Sequence, residues 1–394
     1  MGVRLPARVA AASIAMAGSS VFGQCQYEFV AVYPAVPSIW SVSLADISNS
    51  GWAGGSQGGD GPVLVSPEGA VTLLPVPIGD GVVNAISDSG HIVGEVSNSS
   101  SYSSPAAWVA GAAVVLTAPF TVYNGYALDV NDNGWIVGFV DGGEPGAGPC
   151  VWANGELIPL YESLTGFATG VSETNEVSGW SDLPGTNIQQ PYLWRDGVLT
   201  WLPLPDGMLE ARTHGASTNG IVVGDCWFED LTTSRATVWR AGQAIELGVP
   251  PEFTRTRGYA VNALGQVVGI TERVQYPELS QQQILWLDGQ PHFLFSLLTS
   301  PFVGTVTGVS GINDRGEICG RGRDQSGESI GLILRPIRTR AGDVTIDCTV
   351  DVRDLTALFE FWGRAYTYDD GPGDLDGDRL VGPSDLALLL GDWG

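Results

Sequence analysis

The fold turns on VNDNGWIVG (residues 130–138), followed twelve residues on by CVWANG (residues 150–155). Asn and Gly in the first string mark a tight turn, because glycine adopts positive φ without steric cost. The apolar W-I-V-G that follows has the make-up of a strand. The second string is a strand ending in Trp, closed by a second glycine turn. Working outward, the first string recurs as ISNSGWAGG, ISDSGHIVG, VSETNEVSG, ASTNGIVVG, VNALGQVVG and INDRGEICG. The closing glycines are Gly55, Gly94, Gly138, Gly179, Gly224, Gly269 and Gly320, spaced 39 to 51 residues apart. The second string recurs as AAWVAG, YLWRDG, TVWRAG and LWLDG, giving Trp108, Trp152, Trp194, Trp239 and Trp286. The first unit (VLVSPEG) and the last (GLILRP) lack the Trp.

Each unit reads as four short strands, the last of the LTWLPLP kind, and four strands in some 40 to 45 residues is the size of a propeller blade. The expectation is an all-β chain, a seven-bladed β-propeller of four-stranded blades over residues 24–335. Its seventh unit stops at Arg335 after three strands, so the ring needs a strand from elsewhere. YEFVAVYP near the N-terminus supplies one: residues 27–33 are predicted to pair beside residues 330–334 and close the ring, which also removes an exposed edge. The N-x-x-G-x-V-V-G and A-x-x-W-x-x-G strings resemble the HAF-type extracellular repeat across residues 34–335. That resemblance implies an exported scaffold and names no reaction. The fourth unit departs from it, with Asn175 where the turn glycine belongs.

A second pattern ends the chain. GDVTIDCTVDVRDLTALFEFWG (residues 342–363) and GDLDGDRLVGPSDLALLLGDWG (residues 373–394) are one motif twice, offset by 31 positions. In the second copy Asp374, Asp376, Asp378 and Asp385 stand at positions one, three, five and twelve of a tight loop, with the Leu380 carbonyl at seven. A hard cation taking six to eight oxygens resolves their repulsion. The first copy offers Asp343, Thr345, Asp347, Thr349 (carbonyl), Asp351 and Asp354. Both loops carry a non-glycine residue at the sixth position, Cys348 and Arg379, where a left-handed backbone costs roughly 1 kcal/mol or more. Two Ca2+ sites are expected, the second better formed. A helix follows each loop, with apolar faces Leu355, Leu358, Phe359, Trp362 and Leu386, Leu389, Leu390, Trp393 that can pack on each other. Residues 342–394 resemble a dockerin, a duplicated EF-hand-like module, joined through a linker at residues 336–341. The resemblance implies a cohesin-like or other surface partner and the company of polysaccharide-degrading proteins. At loop positions ten and eleven this chain has Val352, Arg353, Pro383 and Ser384, where cellulosomal dockerins tend to place small hydroxyl residues.

Residues 1–23 read as a secretory signal peptide: Arg4 and Arg8, a short apolar stretch, then Val21 and Gly23 before the cut. No run reaches the ~20 apolar residues of a membrane span. All 18 basic residues are Arg, and without Arg4 and Arg8 sixteen face 43 acids, a net charge of −27. Nucleic acid and anionic membranes are repelled by such a surface. The expected location is secreted or cell-surface. Five cysteines, Cys25, Cys150, Cys226, Cys319 and Cys348, show no zinc spacing, and an odd number leaves at least one unpaired.

Antiparallel alternation puts the uniform N-x-x-G and W-x-x-G turns on one face and the variable loops on the other, where repeat scaffolds usually carry function. That face is expected to display Tyr102, Arg212, His214, Trp227, Phe228, Glu229, Asp230, Arg255, Arg257 and Tyr276, a set suited to a glycan or protein ligand. No G-x-S-x-G elbow occurs, and the three histidines, His91, His214 and His292, fall in separate units, so no catalytic residue and no organic cofactor is assigned. Three readings remain: a secreted binding protein, a glycoside hydrolase or lyase recruited by its tail, and a structural surface protein.

Overall fold

The computed structural model describes residues 26–35, 41–58, 61–77, 79–97, 102–142, 147–160, 164–275, 278–299, 304–368 and 371–393. The expected signal peptide, Cys25 and Tyr276 lie outside them. The protein is a β-propeller built of antiparallel sheets in simple order. The strands Asn124–Val130, Ile136–Asp141, Gly148–Ala153 and Glu156–Pro159 form one sheet, and four further sheets have four strands each. One eight-stranded sheet spans Met208–Ala216 to Gln290–Phe293, its two groups of four joined by a single parallel bridge between Ser234 and Arg255.

The turns form as their residues dictate. Gly134 has φ +75°, and Asn175, at the turn lacking glycine, has φ 61°. The first and second strands of every unit share one irregularity: their register slips around Ala45, Asn84, Leu128, Thr169, His214, Tyr259 and Ser310. Such an extra residue is a β-bulge, which bends the strand and re-aims a side chain. The closing glycine lies on the facing strand, paired with the residue before the bulge, as Gly138 is with Ala127. A Cβ on Gly138 would sit 1.9 Å from the Tyr126 carbonyl oxygen, which explains why each unit ends in glycine there.

The strand Gln26–Val32 pairs antiparallel with Ser329–Ile337, Tyr27 opposite Pro336 and Val32 opposite Gly331. The last strand therefore runs two residues past the expected boundary at Arg335. Four repeat tryptophans, all buried, donate their indole N–H to a carbonyl at the end of the preceding unit: Trp108 to Pro75, Trp152 to Thr117, Trp239 to Pro203 and Trp286 to Gly248, at 2.7–3.0 Å. They bind neighbouring sheets to each other. Cys150, Cys226 and Cys319 are free and buried, whereas Cys348 is disulfide-bonded.

The C-terminal segment carries the helices Val352–Glu360 and Pro383–Gly391 and lies on the turn face of the propeller. Val344, Val350, Leu358, Phe361, Val381 and Leu389 pack with Ala263 and Leu264, which replace polar residues in the sixth N-x-x-G turn. Gln266 donates to the Thr345 carbonyl at 2.8 Å. Arg353 pairs with Asp288, and Arg240 with Glu360 at 3.1 Å. The two expected helix faces meet only in part. Leu358 and Leu389 are buried in one cluster, but Phe359, Trp362, Leu390 and Trp393 stay exposed, so about half of each expected apolar face is left uncovered. No helix among the described residues is long and apolar enough to cross a membrane.

Candidate calcium loops and the axial cavity

In the second loop, ligand oxygens of Asp374, Asp376 and Asp378 lie within 4.8 Å of one another. Backbone amides hold them in place. Asp374 accepts from Gly377 and Arg379 at 2.9 Å, and Asp385 accepts from Leu375 at 2.6 Å and Gly382 at 2.7 Å. The sixth residue, Arg379, has φ 69°, the left-handed backbone its position requires. Burial, then the charges of Asp385 and Asp376, push the Asp374 carboxyl above its ordinary range. An oxygen-only donor set that resists its own charge fits a hard divalent cation. The Leu380 amide donates to Asp378 at 2.8 Å.

The first loop has the same backbone, with Cys348 at φ 66°. Asp343 accepts from Asp347 and Cys348, and Asp354 accepts from Thr345 and Asp351. Thr349 donates to Asp347 at 2.9 Å. Arg353 changes the electrostatics: its guanidinium lies 3.0 Å from Asp347 and 2.7 Å from Asp351. Two of the expected ligands thus already face a cation belonging to the chain. Among the described residues, only the second loop gathers three carboxylates to one point.

A feature missed in the sequence lies on the propeller axis. The seven bulged residues, from Ala45 to Ser310, all line one cavity of about 180 Å³, with Asp46 and Asp129 beside them. The bulge of each unit turns one side chain inward, so seven unrelated side chains surround a common space. The signal was the variable position three residues before each turn Asn or Ser, hidden because period-two reading of a strand has no place for an extra residue. Burial raises the Asp46 and Asp129 carboxyls, and for Asp129 the Asp46 charge adds to it.

At the turn end the cavity meets an acidic mouth: Asp88, Asp132, Glu173 and Asp314, each the residue after the turn Asn or Ser. Burial raises Asp88 to about 6 and Glu173 to about 7, with neighbouring carboxylates contributing. Residues Arg364 to Tyr368 of the C-terminal segment lie across this mouth.

The residues expected on the variable face are only partly there. His214 is in a strand, facing the axis, bonded to Asp225 and edge-on to Tyr259 at 5.8 Å. Asp230 is locked by Thr232 and Thr233, which lower its carboxyl to about 2, so it holds no proton to donate at neutral pH. Tyr102 and Glu229 are exposed. Trp227 sits beneath Arg255 and Arg257, whose guanidinium carbons are 5.8 and 5.0 Å from its ring. Phe228 lies under Arg235 at 5.3 Å.

No protein-family model matches the chain, and no curated protein matches its sequence. Solved structures resemble it in outline. A putative TolB from Agrobacterium tumefaciens is 10% identical with TM-score 0.42, over 82% of this chain and 100% of that one. The β-propeller domain of the Trilobed protease from Pyrococcus furiosus is 10% identical with TM-score 0.47, over 76% and 94%. An acylaminoacyl peptidase from Pyrococcus horikoshii is 13% identical with TM-score 0.44, over 82% of this chain and 53% of that one. Nothing about this chain's activity follows from those names.

Proposed function

We propose that the chain is a secreted or surface-held binding protein: a seven-bladed propeller of the HAF-repeat kind, carrying a calcium-dependent dockerin-like module. Counting the eight-stranded sheet as two blades gives seven, one for each closing glycine. The propeller's axial and variable-loop end takes a glycan or protein ligand, and the module engages a cohesin-like or other surface partner. The observation that carries the reading is the convergence of Asp374, Asp376 and Asp378 just before a helix that buries Leu389 and leaves Leu388 and Leu390 exposed. Calcium orders the loop, and Phe359, Trp362, Leu390 and Trp393 remain available to a partner. A hydrolytic role has less support, since hydrogen bonds from Thr232 and Thr233 hold the Asp230 carboxyl low and remove it as a proton donor.

The test is recovery of the full chain on immobilised surface and secreted fractions, with calcium and with chelator. Calcium-dependent retention lost in a Phe359→Ala, Trp362→Ala variant is expected. Equal retention in chelator would reject docking through the module.

A further inference from the structure

The axial cavity is electrically polar along its length. Acids crowd the end covered by the C-terminal segment, while the opposite end carries arginines. Two residues before the bulge, on the same side of the alternating strand, the fifth and sixth units place Arg212 and Arg257, and the third and fourth place Tyr126 and Phe167. Tyr126 and Phe167 stand 6.4 Å apart, ring to ring. Arg212 lies over Trp180 at 4.8 Å, and Arg257 over Trp227. One wall of the open rim is therefore aromatic and the other cationic.

Arg212 donates its Nε–H to Gln189 at 2.5 Å, but the other charge at this end is under-compensated. Arg255 and Arg257 share one carboxylate, Glu272, which each reaches only at 4.0 Å. The Nε of Arg257 is buried and has no hydrogen-bond partner among the described residues. A buried donor without an acceptor is costly, the more so when charged. Stacking on an aromatic face holds a guanidinium flat, and a flat guanidinium presents the fork that grips a carboxylate through two parallel bonds. The chain concentrates this feature at one end of its axis against a net charge of −25.

Resting on the reading of this end as a ligand face, we infer that it binds a carboxylate-bearing sugar. Arg257 and Arg212 take the carboxylate from adjacent blades, and Phe167 and Tyr126 pack against the apolar face of a sugar ring. An acidic peptide would satisfy the arginines but leave the aromatic wall unused.

The experiment is affinity electrophoresis of the full chain at low salt through gels holding polygalacturonate, alginate, neutral xylan or poly-glutamate. Retardation by at least one uronate polymer is expected, with at least tenfold weaker binding in Arg257→Gln at unchanged melting temperature and calcium response. Equal retardation by xylan, unaffected by Arg257→Gln, overturns the inference while leaving a glycan-binding face standing. Poly-glutamate binding as tight as the uronates overturns the sugar assignment. Retardation by none of the four overturns the inference, and the calcium-dependent capture experiment then reports on the wider reading separately.

Discussion

The amide of Asp314 donates to the Asn49 side chain at 2.6 Å, joining residues 265 positions apart and linking the last repeat to the first. It is one member of a belt. Asn49 donates to Asp88, Ser89 to Asp132, Asp132 to Glu173, Glu173 to the Thr218 carbonyl, Asn219 to the Ala263 carbonyl, and Ala263 to Asp314. Every N-x-x-G turn thereby touches the next.

The Asp314 carboxylate gathers three donors in that belt, since besides Ala263 it accepts from Asn49 and Thr218 at 3.1 Å. Hydrogen bonds to a charged group contribute more than neutral ones, and removal leaves buried donors unmet. Asp314→Ala should cost about 3 kcal/mol of unfolding free energy, measured by denaturant titration. A change under ~0.5 kcal/mol, the size of an ordinary surface substitution, would show that the belt does not hold the ring.

Gly138→Ala puts a methyl group 1.9 Å from the Tyr126 carbonyl, so one strand must move. A loss of at least 1–3 kcal/mol is expected. Gly111→Ala is the control, because nothing lies within 4 Å of its Cβ position and only the strain of φ +80° remains. The two melting temperatures should differ clearly, Gly138→Ala being the lower.

The repeat was legible because turns and close approaches demand particular residues: Gly134 and Gly138 announce themselves at any distance from the axis. The two loops of the tail were legible as one repeated unit, since the same spacing returns 31 positions on, and both take a left-handed backbone at the sixth position, Cys348 and Arg379. The axial cavity was not, because His214 and Tyr259 reach it through bulges that no alternation pattern encodes. Nor was the seat of the tail. Its one trace was Ala263 and Leu264 in a turn that is polar elsewhere, and a helix face drawn from Phe359 and Trp362 does not say what covers the remainder.

The acidic mouth makes stability pH-dependent. Asp88 and Glu173 have folded values near 6 and 7, above the unfolded values of roughly 4. The folded state therefore holds more protons between those limits, and stability falls as pH rises from about 4 to 7. At fixed calcium, melting temperature should be higher at pH 5.5 than at pH 8, and Asp88→Asn should flatten that slope. An unchanged slope in the variant would contradict the assignment.

In the first loop Arg353 competes with any added cation for Asp347 and Asp351. Arg353→Gln removes that competitor and should strengthen calcium binding there by about tenfold, or ~1.4 kcal/mol. Weaker binding in the variant would mean that Arg353 instead organises the loop for the ion. Calcium competition with a chromophoric chelator distinguishes the two.

Isothermal titration of calcium into the full chain, beside an Asp376→Asn, Asp378→Asn variant, tests the central claim most directly. The account predicts a saturable site in the parent that disappears in the variant, with a calcium-induced rise in melting temperature lost alongside it. Identical titrations in parent and variant, or no heat and no stabilisation in either, would contradict it.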